Sequence, residues 1–196
     1  MRASSPLAAV TSRAPFDWVE SMGGPLIVLP VSALDTWRGC TESGMVMADG
    51  DGPDDYDRAC AVDDLAAVIA VGEEGAGALV LGDEPATTCY VPEHHAFLRR
   101  LAAPSETGLR AVAETVLADP ATPWEECGTW VTDGPAVLMD SAVAGDVLDT
   151  EYPGGGFPAQ ARVSLPPGRW RVRAVHAEAG EENVLVGVVQ LLPVGD

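Results

Sequence analysis

The sequence predicts an α+β fold, mostly antiparallel β, with two similar β units joined by a pair of helices. Three observations predict it. The first is an echo: Trp18-Val19 leads through a turn to Gly24-Pro25 and the apolar run Leu26–Leu29, and Trp130-Val131 leads to Gly134-Pro135 and Ala136–Met139. The second is punctuation: 21 Gly and 16 Pro in 196 residues break the chain into many short apolar runs. The third is a change of period in the middle of the chain, from strand-like alternation to helical spacing.

Taken in order, residues 1–14 read as a loose tail and 15–91 as a first β unit with a short helix and an acidic loop. Residues 92–120 read as a helical connection and 121–196 as a second β unit, all within one compact domain. Each Trp-Val…Gly-Pro string reads as a hairpin, with Asp133-Gly134 a type I′ signal. Ser32-Ala33-Leu34-Asp35 predicts a capped helical turn, with Leu34 and Trp37 on its buried face. Short strands follow at 58–62, 66–71, 77–82 and 87–91. Pro92 opens a predicted helix to Leu101. A second helix starts at Ser105, a cap, and ends at Asp119-Pro120. Leu109, Val112, Ala113, Val116 and Leu117 fall on one face of it. In the second unit, strands are predicted at 160–165 and 169–177. In the latter Trp170, Val172 and Ala174 alternate with Arg169, Arg171 and Arg173. The nearly continuous apolar run 184–192 predicts a central strand. The echo admits two readings: a pseudo-duplicated β unit, or a chance likeness between short apolar strands.

Charge narrows the function classes. The net charge is −19, and Arg supplies every positive side chain, since the chain has no Lys. Residues 1–150 hold 7 Arg against 25 acids, whereas 151–196 hold 4 against 5. Such a field disfavours nucleic acid and anionic membrane and favours a basic protein partner. Acidity that only keeps the chain soluble is the simpler alternative. No stretch approaches the ~18 apolar residues of a membrane span, and residues 7–10 are too short for a signal-peptide core, so the cytoplasm is the expected location.

No catalytic motif is visible. Asp140-Ser141-Ala142 lacks the nucleophile-elbow glycines, and without Lys no phosphate loop of the Gly-x-x-x-x-Gly-Lys type exists. Cys40, Cys60, Cys89 and Cys127 form no Cys-x-x-Cys pair and read as buried thiols. Adjacent His94 and His95 point in different directions on a helix, which suits a metal poorly. The densest polar cluster, Asp49-Gly50-Asp51-Gly52-Pro53-Asp54-Asp55-Tyr56-Asp57-Arg58, fails as a calcium loop: Asp54 stands where Gly belongs and Cys60 where the bidentate Glu belongs. No cofactor or metal is expected. As a contact surface the cluster makes better sense, because carboxylates pair with Arg or Lys and an aromatic ring adds contact area. The expected partner contacts are Trp37, Glu42, Asp49, Asp51, Asp54, Asp55, Tyr56 and Asp57. A small enzyme or ligand-binding protein with a site assembled from Cys60, Asp83 and His94 remains the alternative, and a β scaffold without a partner the blandest one.

The first half carries a family likeness. Trp18–Pro30, Trp37-Arg38-Gly39, Asp55–Cys60 and Leu79–Ala86 together resemble the immunity protein 21 family of bacterial polymorphic toxin systems. The likeness is good over residues 16–91 and looser beyond. It implies a non-catalytic protein, encoded beside a toxin, that protects the producing cell by binding that toxin. It brings no catalytic residues with it. The Lys-free, Ala/Gly/Asp/Val-rich usage resembles that of a high-GC actinobacterium.

Overall fold

A computed structural model describes residues 16–41, 53–72, 76–82, 84–179 and 183–195. Among these residues eleven strands run in chain order: β1 Trp18–Val19, β2 Leu26–Pro30, β3 Ala67–Val71, β4 Ala76–Leu81, β5 Thr87–Val91, β6 Ala96–Ala102, β7 Glu125–Thr132, β8 Ala136–Asp140, β9 Gln160–Val163, β10 Gly168–Ala179 and β11 Val184–Pro193. Among the described residues two α-helices, α1 Asp55–Cys60 and α2 Glu106–Ala118, and three 3₁₀ turns at Val31–Thr36, Pro92–His94 and Gly145–Val147 accompany them. The strands form a six-stranded sheet, β1-β5-β6-β11-β10-β7, and a five-stranded sheet, β3-β4-β2-β8-β9. Every pairing is antiparallel.

The sheets pack face to face because alternate residues of each are apolar on the inner side. Val28, Leu79 and Leu138 of the smaller sheet meet Phe97, Trp130, Val172 and Val189 of the larger. The outer face of the larger sheet is covered in part by α2, whose Leu109, Ala113 and Val116 lie against Leu98, Val186 and Val188. Ser105 accepts the Gly108 N–H and so caps the helix as its sequence predicts. The outer face of the smaller sheet (Ile27, Leu29, Val80, Met139) is covered by Ala33, Trp37, Ala59 and Leu148 from the segments that cross it. β10 shows the expected alternation, with Trp170, Val172 and Ala174 buried, and β11 is central, between β6 and β10.

Four expectations need correction. Residues 96–102 form a strand instead of a helix. His95, at φ 46, ends the short turn that Pro92 opens, and the chain then extends. This segment is covered on both sides and Arg99 is buried with its guanidinium on the Glu84 carbonyl, so the strand shows neither clean alternation nor a polar face. One helix, α2, therefore stands where a pair was expected. Residues 58–62 are not a strand; 58–60 belong to α1. The turn at 31–36 has no side-chain cap, because its cap position falls on Pro30; Ser32 lies inside the turn with its hydroxyl donating to Asp133, and Ala33 is the buried residue.

The fourth correction concerns the echo. Neither Gly-Pro string is a hairpin. β1 and β7 lie in the larger sheet while β2 and β8 lie in the smaller, so each string is a corner that carries the chain from one sheet to the other. The two parts of the chain do not form separate units; they meet side by side, β2 against β8 and β6 against β11, in the middle of each sheet. In the β2–β8 pair Val28 faces Leu138, the third residue after Pro25 facing the third after Pro135. The hydrogen bonds around it are reciprocal: Val31 N donates to Pro135 O at 3.0 Å and Ser141 N to Pro25 O at 3.2 Å. The likeness stops at the tryptophans. Val19 points into the inter-sheet core while half-buried Trp18 turns outward and donates to Glu106 of α2 at 3.1 Å. In β7 it is Trp130 that fills that core, donating to Gly77 O at 2.8 Å, and Val131 that is 55% exposed.

Candidate partner-binding surface

The Asp-rich cluster reaches the described structure at its C-terminal end, where α1 lies over the smaller sheet. Asp54 is the cap of α1. Its carboxylate accepts Asp57 N at 2.8 Å, Thr41 N at 2.7 Å and the Thr41 hydroxyl at 3.1 Å. Burial works to raise its pKa, but these hydrogen bonds to the charged form outweigh it and hold the carboxyl below the ordinary range. Asp55 accepts Arg38 N at 2.6 Å and pairs with Arg58, which also donates to Ala70 O at 2.8 Å. Both carboxylates thus tie the 38–41 segment, α1 and β3 together.

Tyr56 is half-buried. A Cβ on Gly24 would sit 2.5 Å from its ring, so the first corner must carry glycine there to let the ring lie on it. A hydrogen bond with the Cys60 thiol, then burial, then negative charge nearby push the phenol up to about 12. Asp57 is also half-buried, and among the described residues its carboxylate accepts no hydrogen bond.

Trp37 is not a surface residue. It is wholly buried, its indole N–H donates to Ser141 O at 3.0 Å and its carbonyl accepts Gly145 N at 2.9 Å. Of the two roles expected for it, buried face of the turn and partner contact, the packing shows the first: Trp37 is a core anchor that joins the segments after β2 and β8. Glu42, Asp49 and Asp51 lie outside the described residues.

The alternative enzymatic set does not converge. Asp83 lies outside the described residues. Cys60 ends α1 over the smaller sheet, whereas His94 lines a cleft with Phe16, Arg110 and Leu117 on the α2 side of the larger one. Beside α1 there is a recess of about 180 Å³ between Gly23–Pro25, Ala59-Cys60, Val62, Gly82, Glu84 and Pro85. Its lining is mostly glycine and small side chains, and among the described residues Glu84 is its carboxylate. The segment 145–157, which carries exposed Val147, Tyr152 and Phe157, was not singled out from sequence. Two aromatic residues flank Gly154–Gly156 there, but nothing in the sequence says whether they are covered.

The profile of the family described as Immunity protein 21 matches residues 17–183. The chain belongs to the immunity protein 21 family. The match runs through both Gly-Pro corners, α2 and all of β10, so the family's pattern extends well beyond residues 16–91. Neither a curated protein nor a solved structure matches the chain. Among the described residues no helix is long and apolar enough to cross a membrane.

Proposed function

We propose that this member of the immunity protein 21 family is a non-catalytic inhibitor that acts in the cytoplasm of the producing cell. It neutralises a cognate toxin by covering a basic surface of it. Family membership supports the toxin as partner. The observation that carries the choice of face is the layer over the smaller sheet, which presents Asp35, Asp57, Asp146, Asp149 and Glu151 outward. The contrast is with the larger sheet, whose strand β10 carries Arg169, Arg171 and Arg173. A toxin that acts on nucleic acid needs a basic cleft, and carboxylates placed where phosphates would bind block it by charge complementarity.

Within that face, Asp57 and Tyr56 are the described residues of the original set that remain proposed contacts, together with Glu42, Asp49 and Asp51 of the preceding segment, which lie outside the described residues. Asp54 and Asp55 contribute by holding α1 in place.

The test is co-expression with the toxin domain encoded beside the gene, read as cell survival, with binding kinetics of the purified pair. Asp35→Arg/Asp57→Arg is expected to slow association about tenfold or more at low salt and to flatten the dependence of the rate on ionic strength. Failure of the wild-type chain to bind or protect sinks the proposal.

A further inference from the structure

We infer that Tyr152 and Phe157, with Val147, form an aromatic anchor that seats on a basic surface of the partner protein. The inference rests on the inhibitor reading above and extends it to a part of the second half that charge alone does not single out. Val147, Tyr152 and Phe157 are 40%, 42% and 59% exposed, three large apolar side chains within eleven residues of one loop. Isolated exposed apolar residues are ordinary, but a group of them on one short segment marks a contact surface.

The segment is held in one shape. Tyr152 N donates to Gly156 O and Gly155 N to Tyr152 O, both at 2.8 Å, so a tight turn brings the backbone of Tyr152 back to the residue before Phe157. Gly155 and Gly156, at φ 89 and 85, make that turn without strain. Thr150 N donates to Val147 O at 2.9 Å, Gln160 donates to Leu148 O at 3.1 Å, and Leu148 itself is buried under the loop. A loop already fixed by its own bonds loses little entropy when a partner covers it.

Charge selects the occupant. Exposed Asp146, Asp149 and Glu151 lie among the apolar residues, and residues 145–157 contain no Arg. A ring flanked by carboxylates suits Arg or Lys, which pairs with the acid and lies over the ring. A second copy of this chain would set carboxylate against carboxylate, and an anionic lipid surface would meet the same repulsion. The turn Gly145–Val147 also packs against the turn Val31–Thr36, so this anchor borders the layer that bears Asp35.

The test is the affinity of Tyr152→Ala/Phe157→Ala for the adjacent-gene toxin domain, with the unfolding midpoint measured in parallel. The expected result is a loss of about 30-fold or more in affinity, the size typical of aromatic hot spots, at an unchanged midpoint. Hydrogen exchange on the wild-type complex should show amides 145–157 protected by the toxin, a readout independent of the variant's folding. If the wild type binds while the double variant binds within twofold of it and these amides stay unprotected, the anchor is refuted and the inhibitor reading stands. If the wild type does not bind, both fall. A wild-type dimer that the double variant abolishes would assign this surface to a second copy and overturn the anchor.

Discussion

The two Gly-Pro corners share a place in the architecture and differ in nearly everything built on it. Both lead from an outer strand of the six-stranded sheet into a central strand of the five-stranded one, and each supplies the prolyl carbonyl that the other half's next segment needs. The first corner is longer by two residues, bends through Gly23 at φ 125, is roofed by the Tyr56 ring and is held by the buried Asp140 carboxylate, which accepts Met22 N at 2.6 Å. Among the described residues no α-helix lies over the second corner, and its Asp133 accepts the Ser32 hydroxyl at the surface. A single-residue difference in how β1 and β7 face the core also exchanges the roles of their Trp and Val. A shared frame thus leaves the loops beyond each corner free to diverge, and both surfaces proposed for the partner lie on those loops.

The comparison breaks first at the tryptophans. Trp130→Ala removes a wholly buried side chain from the inter-sheet core and should cost about 3–5 kcal/mol in denaturant unfolding. Trp18→Ala removes a half-buried ring over α2 and should cost about 1–2 kcal/mol. Equal losses would mean that the two residues are equivalent after all.

The roof over the first corner gives the next effect. Gly24→Ala forces a methyl into the Tyr56 ring and should cost about 1–3 kcal/mol by the same measurement. In a Tyr56→Ala background that cost should largely vanish, a coupling the second corner has no counterpart to show. An undiminished penalty would place the strain in the backbone instead of against the ring.

The smallest effect is in pH. Asp54, cap of the helix that carries this roof, has its pKa lowered in the folded state. Its stabilising share is therefore present above the ordinary carboxylate pKa, near ~3.9, and is lost as pH falls through the lowered folded value. Asp54→Asn should be less stable than wild type at neutral pH, and the gap should close in the acid limb. A gap that is constant with pH would remove the charged cap as its source.

Helix α2 and strands β10 and β11 were legible in the chain because their signals are local or nearly so. Ser105 caps a helix whose apolar residues return every three or four positions, and β10 alternates because one face meets the core and the other water. β6 was not legible: a strand buried on both faces, with an arginine turned inward, imitates a helix that carries two surface arginines. Trp37 was misplaced for a related reason, since its burial depends on Ser141 and Gly145, more than a hundred residues away. At the candidate surface, the carboxylates were visible as composition, but the division between those that hold α1 and those that face outward rests on hydrogen bonds to Thr41 and Arg38 across a loop. Tyr152 and Phe157 gave no warning either, because a hydrophobic letter does not say whether anything covers it.

By itself, then, the chain determined its mostly antiparallel β character, the position of its long helix and its strong acidity, all properties of composition or of neighbours three or four residues apart. Only the tertiary structure decided that the repeated string is a corner between sheets, that the two halves share both sheets, and which aromatic residues are core and which are surface. Those outcomes depend on contacts between distant segments, where moving a strand by one residue reverses every side chain it carries.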